Sequence, residues 1–266
     1  IIFIIRAVRK RGEQNVSEAK LQAFTNIAHE ICTPMTMIIS PLEELMAQND
    51  LNVSTHKQLQ QMHKSSTKIL SLIHQLLDLR KYDEGQMNIH YKEVDFVNFI
   101  MGTFELYTQT AERREIDFTY THTVEELPIY IDVDSIDKVM MNLLSNAFKY
   151  TSDCGSIEVK LDVGIDESKS GPLRNYAQVS ISDNGIGMDI EDVTRVFDRF
   201  YRAQNTLTSM TLGMGIGLNF CRALIDLHRG EIWAENRTDT KGSVFTFRLP
   251  LGKAHIKEDD IDVGNE

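Results

Sequence analysis

Phe24-Thr25-Asn26-Ile27-Ala28-His29-Glu30-Ile31-Cys32-Thr33-Pro34 is the stretch on which the reading of this chain turns. Apolar residues flank it in both directions at spacings of three and four: Leu21, Phe24, Ala28, Ile31, Met35, Ile38, Leu42 and Leu45. That spacing predicts one helix over residues 17–49 with a coiled-coil-type seam. Asn49 and Asp50 end it, and Ser54 is the expected N-cap of the next helix. From 55 to 83 the rule returns through Leu59, Met62, Ser66, Ile69, Ile73 and Leu76, with a second stripe at Leu70, Leu72, Leu77 and Leu79. Two helices carrying more apolar stripe than one partner can cover imply a hairpin that pairs with a second copy. The stripes at Leu59, Ile69, Ile73 and Leu76 are expected to lie between subunits of a homodimeric four-helix bundle.

Within that frame His29 adjoins the seam position Ala28 and is expected to face water beside the bundle. An imidazole followed directly by a carboxylate is a nucleophile with a base at hand. Zinc binding by a His-Glu-x-x-His pair is excluded, because the second position is Thr33. Pro34 cannot donate to the carbonyl of Glu30 and crowds it, so a kink is expected beside His29.

Downstream of Gly85, read as a hinge, the pattern changes. Strands are expected at 88–93 and 116–121 around a helix at 95–112. A helix capped by Asp134 should run to 150, with strands at 156–163 and 176–182 about a hairpin loop at 164–175. A helix at 215–228 and strands at 230–236 and 243–249 complete the reading. Helices and strands without strict βαβ alternation predict an α+β sandwich with a mixed sheet.

Three motifs in this second region carry chemistry. On the helix ending near 150, Asn142, Asn146 and Lys149 share one face at spacings of four and three. Amide oxygens suit Mg²⁺, which takes few protein ligands and shares phosphate oxygens. Lys149 adds a point charge for phosphate, and Tyr150 a ring for adenine. Asp183-Asn184-Gly185-Ile186-Gly187 closes a strand; its carboxylate can accept the amine of adenine, and Gly185 and Gly187 let the backbone approach the base. Gly213, Gly215 and Gly217 precede a helix and offer free N–H groups to phosphates. Between the two glycine sets, Phe197, Phe200, Tyr201 and Arg202 punctuate a polar stretch read as a mobile lid. No Gly-Lys-Ser/Thr loop is present, so ATP binding here does not use a P-loop.

The chain of 266 residues is large enough for two domains with cores, and 42 % of its residues are apolar. A net charge of −11 argues against nucleic acid as a partner. Cys32, Cys154 and Cys221 have no metal spacing and read as reduced thiols. Ile1-Ile2-Phe3-Ile4-Ile5 is too short to span a bilayer, but with Arg6, Arg9, Lys10 and Arg11 it reads as the cytoplasmic end of a spanning helix. No signal peptide is visible. Lys257-Glu258-Asp259-Asp260-Ile261-Asp262 reads as a solvated acidic tail or linker.

These motifs, in this order, resemble the catalytic core of a sensor histidine kinase over nearly the whole chain. The resemblance implies a membrane-proximal end and basic linker at 1–14 and a dimerisation and phosphoacceptor domain at 15–84. A Bergerat-type (GHKL) ATP-binding α+β sandwich would follow at 88–252 and a tail at 253–266. It implies that His29 is the phosphoacceptor, Glu30 its base, and Thr33 the residue that orients water for dephosphorylating a partner. Asn146 would hold Mg²⁺ with Asn142 in support. Lys149 and Arg202 would contact phosphates, Tyr150 would pack on adenine, and Asp183 would read its amine. The implied partner is the aspartate of a response-regulator receiver domain, and the implied setting is the cytoplasmic portion of an inner-membrane protein. Leu249-Pro250-Leu251-Gly252-Lys253 with the acidic tail resembles hybrid kinases of Bacteroides-type bacteria, in which a receiver follows in the same chain. Two positions depart from the family: Cys32 stands where it has arginine, and Met35 where it has leucine. Related ATPases that hydrolyse ATP place a glutamate where this chain has Asn142, and an amide cannot take a proton from water.

Overall fold

The structure is a computed structural model that describes residues 31–47, 52–202, 215–257 and 260–261. The chain divides into two compact units, Ile1–Met87 and Asn88–Glu266.

In the first unit, residues 31–46 form helix α1, and α2 spans Val53–Asp83. The cap of α2 is Asn52, not the expected Ser54: its backbone is extended and its Oδ1 accepts the N–H of Thr55 at 2.8 Å. Ser54 lies one residue inside the helix, too late to serve the first-turn donors. Gly85, at φ +66, ends α2 in the left-handed conformation that a side chain resists. His63 Nε2 of α2 meets Glu43 Oε1 of α1 at 3.1 Å. The seam residues Leu21, Phe24 and Ala28, and Glu30, which bears on the kink at Pro34, lie outside the described residues, as do Asn49 and Asp50.

The apolar stripes divide differently from expectation. Leu42, Ile73, Leu76 and Leu79 are buried in the single chain, so Ile73 and Leu76 are not free for a second copy. Ile31, Ile38 and Leu45 remain exposed at intervals of seven on α1, as do Met62 and Ile69 on α2. Residues seven apart return to the same side of a helix. Besides Met37 and Val53, which are also exposed, the large apolar side chains left over form a heptad stripe on each helix, offset from the positions that the chain buries by itself.

The second unit is an α+β sandwich. Strands β2 (Asp117–His122), β4 (Ser156–Ile165), β5 (Asn175–Asp183), β7 (Ser243–Pro250) and β6 (Glu231–Asn236) lie in that order in one sheet. The β2–β4 pair is parallel and the others antiparallel, which is the mixed sheet expected. Side chains alternate across it. Ile157, Val159 and Leu161, then Ala177, Val179 and Ile181, then Phe245, Phe247 and Leu249 are buried. Register places Val179 opposite Phe247 and Ile181 opposite Phe245. The intervening residues are polar and bond one another, as Ser180 does with Thr246 and Arg248 with Gln178.

Helices α3 (Phe96–Arg113), α4 (Val133–Tyr150) and α6 (Gly217–Leu227) cover this sheet, with the short α5 at Ile190–Val193. Phe96, Ile100, Ile136, Val139, Met140, Leu143, Leu144, Phe220 and Leu224 lose all exposure in the layer between. Each contributes about 1.5–3 kcal/mol of apolar burial.

Asp132, rather than Asp134, caps α4. Its backbone is extended and its Oδ1 accepts the N–H of Ser135 at 2.9 Å, whereas Asp134 is already in the first turn. The first strand lies later than expected, at Lys92–Asp95 (β1), because it pairs antiparallel with a strand the sequence did not announce, Pro128–Ile131 (β3). The loop expected over 164–175 holds the end of β4 and a 3₁₀ turn at Pro172–Arg174. The described part of the acidic tail is not a free linker. Tyr91 donates its N–H to the carbonyl of Asp260 at 2.9 Å and forms a parallel bridge with Ile261.

Candidate nucleotide-binding site

The second unit builds its candidate site around the C-terminal half of α4. Asn142 donates from Nδ2 to the carbonyl of Lys138 at 2.9 Å, which fixes the amide. A Cβ placed on Gly217 would lie 2.6 Å from Asn142 Oδ1, so the first residue of α6 lies close against that amide, which a larger residue would displace. Asn146, one turn on and half-buried, makes no side-chain hydrogen bond among the described residues. Lys149 is exposed, donates to the Tyr150 hydroxyl at 2.9 Å and lies 4.7 Å from the centre of that ring.

Asp183 ends β5 with 2 % of its surface exposed. Its Oδ1 accepts the N–H of Gly185 at 2.9 Å. Burial pushes its carboxyl above the ordinary range, against the opposing pull of the Gly185 and Ser243 N–H groups and the Arg237 guanidinium. Gly185 backs onto the carbonyl of Tyr150, leaving no room for a Cβ, which ties this loop to the end of α4. Gly187 turns the loop at φ +70.

On either side of residues 203–214 the chain is held to the rest of the second unit. Phe200 donates its N–H to the carbonyl of Gly215 at 3.0 Å. Phe197 is buried, its carbonyl accepts from Asn219 Nδ2 at 2.9 Å, and the Arg222 guanidinium sits 5.1 Å from its ring centre. The Tyr201 hydroxyl donates to Asp192, and Arg195 lies 4.3 Å over the Tyr201 ring. Arg202 is exposed. Asn142, Asn146, Lys149, Tyr150, Asp183, Gly185, Gly187, Arg202, Gly215 and Gly217 thus all belong to the second unit, and direct approaches link α4 to the Gly185 loop and to Gly217.

Gly213, His29 and Glu30 lie outside the described residues. Thr33 is on α1 in the first unit, exposed, with Cys32 half-buried beside it.

Sequence reasoning missed several residues here. Asn236 clamps the glycine loop to β6: its Oδ1 accepts from Met188 N–H at 2.8 Å and its Nδ2 donates to the Met188 carbonyl at 2.7 Å. Ser243 supplies an N–H to Asp183 from β7. Thr151, buried just after Tyr150, has an Oγ1 without a partner among the described residues, and it shares the surroundings of Gly155 with Asn184. Only strand pairing or a helix end brings these residues to the loops around Asp183, and neither leaves a spacing to read.

The donor set fits Mg²⁺ in a complex with phosphates. No cluster of three acidic, histidine or cysteine side chains exists among the described residues to hold a bare cation. An uncommitted amide at Asn146 beside a fixed one at Asn142 suits a hard ion whose remaining ligands are phosphate oxygens and water.

Residues 19–85 match the His Kinase A (phospho-acceptor) domain family. Residues 131–253 match the family described as histidine kinase-, DNA gyrase B-, and HSP90-like ATPase. Histidine kinase P4 of Formosa agariphila is 30 % identical over 97 % of this chain, which spans 18 % of P4. Sensor histidine kinase WalK of Bacillus subtilis is 29 % identical over 94 % of this chain and 39 % of its own length. Among solved structures, full-length ShkA in complex with AMPPNP shares the fold over 87 % of this chain and 46 % of its own, with a TM-score of 0.67 at 19 % identity. Two tandem domain matches, in this order and on these elements, place the chain among the sensor histidine kinases, of which it carries the catalytic core.

Proposed function

We propose that the chain transfers the γ-phosphoryl group of ATP to His29 and passes it on to an aspartate of a response-regulator receiver. The observation that carries this reading is the convergence of the Asn142–Tyr150 face, the Asp183 loop and Gly217 on one end of α4, in a unit that follows a heptad-patterned hairpin bearing His29-Glu30. Asp183, buried and bonded by the Gly185 and Ser243 N–H groups, keeps its remaining acceptor capacity for the adenine amine. Tyr150 packs on the base, and Lys149 and Arg202 face the phosphates. Gly213, Gly215 and Gly217 offer N–H groups at the start of α6. Asn146 would hold Mg²⁺ with Asn142 in support; when bound, the ion neutralises charge on the phosphate oxygens.

His29 attacks as a neutral imidazole. The N–P bond forms, the bond from the γ-phosphorus to the bridging oxygen breaks, and ADP leaves. Glu30 takes the proton from the other ring nitrogen. Thr33, one turn further on the same face, orients water when a phospho-receiver docks there; that water attacks the aspartyl-phosphate and releases inorganic phosphate, a separate phosphatase activity.

The working unit is a homodimer in this reading, with the heptad stripes at Ile31, Ile38, Leu45, Met62 and Ile69 as its surface. Among the described residues no helix is long and apolar enough to cross a membrane. The proposed tether precedes the hairpin at Ile1–Ile5, outside the described residues, and would place this chain on the cytoplasmic side of an inner membrane. A receiver in the same full-length chain accords with the hybrid-kinase resemblance.

Incubating the chain with γ-labelled ATP and Mg²⁺ tests the reading. Acid-labile, base-stable label is expected on the parent and none on His29→Gln, which should still bind nucleotide. Glu30→Gln should label about 10²- to 10⁴-fold more slowly. Asn146→Ala should lose Mg²⁺-dependent nucleotide binding. Label persisting on another residue of the His29→Gln chain overturns the assignment.

A further inference from the structure

His228 follows α6 at the end remote from Gly217, with 1 % of its surface exposed. Both ring nitrogens are committed to backbone. Nδ1 lies 2.7 Å from the carbonyl of Leu224, one turn back, and Nε2 lies 3.0 Å from the N–H of Asp132. A carbonyl can only accept and an N–H can only donate, so the ring must be neutral and carry its proton on Nδ1. Burial lowers the tendency of this imidazole to protonate, with Asp132 opposing and His255 reinforcing that effect. The edge of Tyr91 covers the ring at 5.4 Å between centres, and the Tyr91 hydroxyl donates to the Leu227 carbonyl at 3.3 Å.

Asp132 is the N-cap of α4, the helix that carries Asn142 and Asn146. Its two carboxylate oxygens are also spent, one on Ser135 N–H and one on His90 N–H. Burial alone would raise its carboxyl, but those two N–H groups and His228 hold it below the ordinary range. Helices α4 and α6 pack against each other, and two polar approaches mark the ends of that packing. At one end Gly217 touches Asn142, and at the other His228 binds the cap residue ten positions earlier, about 15 Å along the axis.

Resting on the kinase reading above, we propose that His228 is a positioning residue for the nucleotide site. By bridging the end of α6 to the start of α4 it fixes how the Asn142–Asn146 face is presented to the phosphates bound at the start of α6. Errors of about 1 Å in such placements cost about 10²-fold in rate. A space-filling role would be served by any ring; the bridge requires an acceptor at the reach of Nε2.

Two substitutions separate these roles. In His228→Asn the amide nitrogen reaches as far as Nδ1 and can donate to Leu224, but nothing accepts the Asp132 N–H. In His228→Gln an oxygen reaches as far as Nε2 and can accept it. The full chain is titrated with ATP and Mg²⁺ by calorimetry, and melting temperatures are recorded for each variant. We expect His228→Asn to weaken Mg·ATP binding about tenfold, within the range typical of coupling between sites. His228→Gln should return to within about threefold of the parent, and the loss in His228→Asn should persist at temperatures well below its own melting transition. Parent-like affinity in His228→Asn overturns the proposal. So does a loss in both variants that follows their melting temperatures, or a His228→Asn chain that does not fold. A parent that binds no Mg·ATP overturns the kinase reading itself.

Discussion

Replacing Asp183 by asparagine separates recognition of the base from stability of the fold. The parent carboxylate has two oxygens in a nearly closed site, one of them occupied by the Gly185 N–H at 2.9 Å. The carboxylate also receives the Ser243 N–H from β7, and in the proposed reading the adenine amine uses the acceptor capacity that remains. Asparagine keeps one oxygen and turns an NH₂ towards the donors that the second oxygen served, so it cannot serve the Gly185 N–H, the Ser243 N–H and the amine together. Losing a hydrogen bond to a charged acceptor costs about 1.5–3 kcal/mol, or about 10- to 150-fold in Kd.

The effect on the empty domain has the opposite sign. Burial raises the folded-state pKa of Asp183 above its unfolded value of 3.8. The group's contribution to stability is therefore full below pH 3.8 and is lost as pH rises through the folded value. At neutral pH the parent carries a buried carboxylate that the fold disfavours, and asparagine removes that charge at constant shape. Without nucleotide, Asp183→Asn should melt at or above the parent temperature at pH 7, with the difference narrowing in acid. Calorimetric titration with Mg·ATP and thermal melts across pH check both halves. An Asp183→Asn chain that binds Mg·ATP like the parent, or that melts well below it at pH 7 without ligand, refutes the reasoning.

Two further outcomes follow from the first unit. Ile38→Asp and Ile69→Asp alter side chains that are 46 % and 45 % exposed in the single chain, so the hairpin should fold. An unpaired carboxylate in the dimer surface should raise the dimer dissociation constant by at least about 100-fold, read by sedimentation; a monomeric parent sinks the assembly. Thr33→Ala removes an exposed hydroxyl, at a stability cost within about 0.5 kcal/mol. It should keep histidine labelling while losing dephosphorylation of a purified phospho-receiver, and equal loss of both activities would mean that Thr33 supports the helix instead.

The sequence by itself determined the parts whose signal is local. Heptad spacing announced both helices of the first unit, since a period near 3.5 has one low-energy backbone solution. Apolar residues at spacings of two gave β4, β5 and β7 to within a few residues. Asn142, Asn146 and Lys149 could be read as one helix face, and Gly215 and Gly217 as a helix entry, because chemistry and spacing coincide within one element.

Tertiary structure decided whatever depends on pairing between distant segments. β3 is four residues long and exists because β1 supplies its partner across more than thirty positions. Asn52 and Asp132 cap their helices in place of Ser54 and Asp134, since the choice among neighbouring polar residues falls to the one whose backbone is extended. The single hairpin already buries Ile73 and Leu76, a division of the stripes that periodicity cannot make because it does not say which partner comes first. Asn236 and Ser243 reach the Asp183 loop only through the β5–β7–β6 register. His228 finds Asp132 across 96 residues, and Tyr91 finds Asp260 from the other end of the unit. Such contacts are fixed by strand order and helix packing. They satisfy backbone donors and acceptors that every residue carries, so they leave no mark in composition or period from which they could have been read.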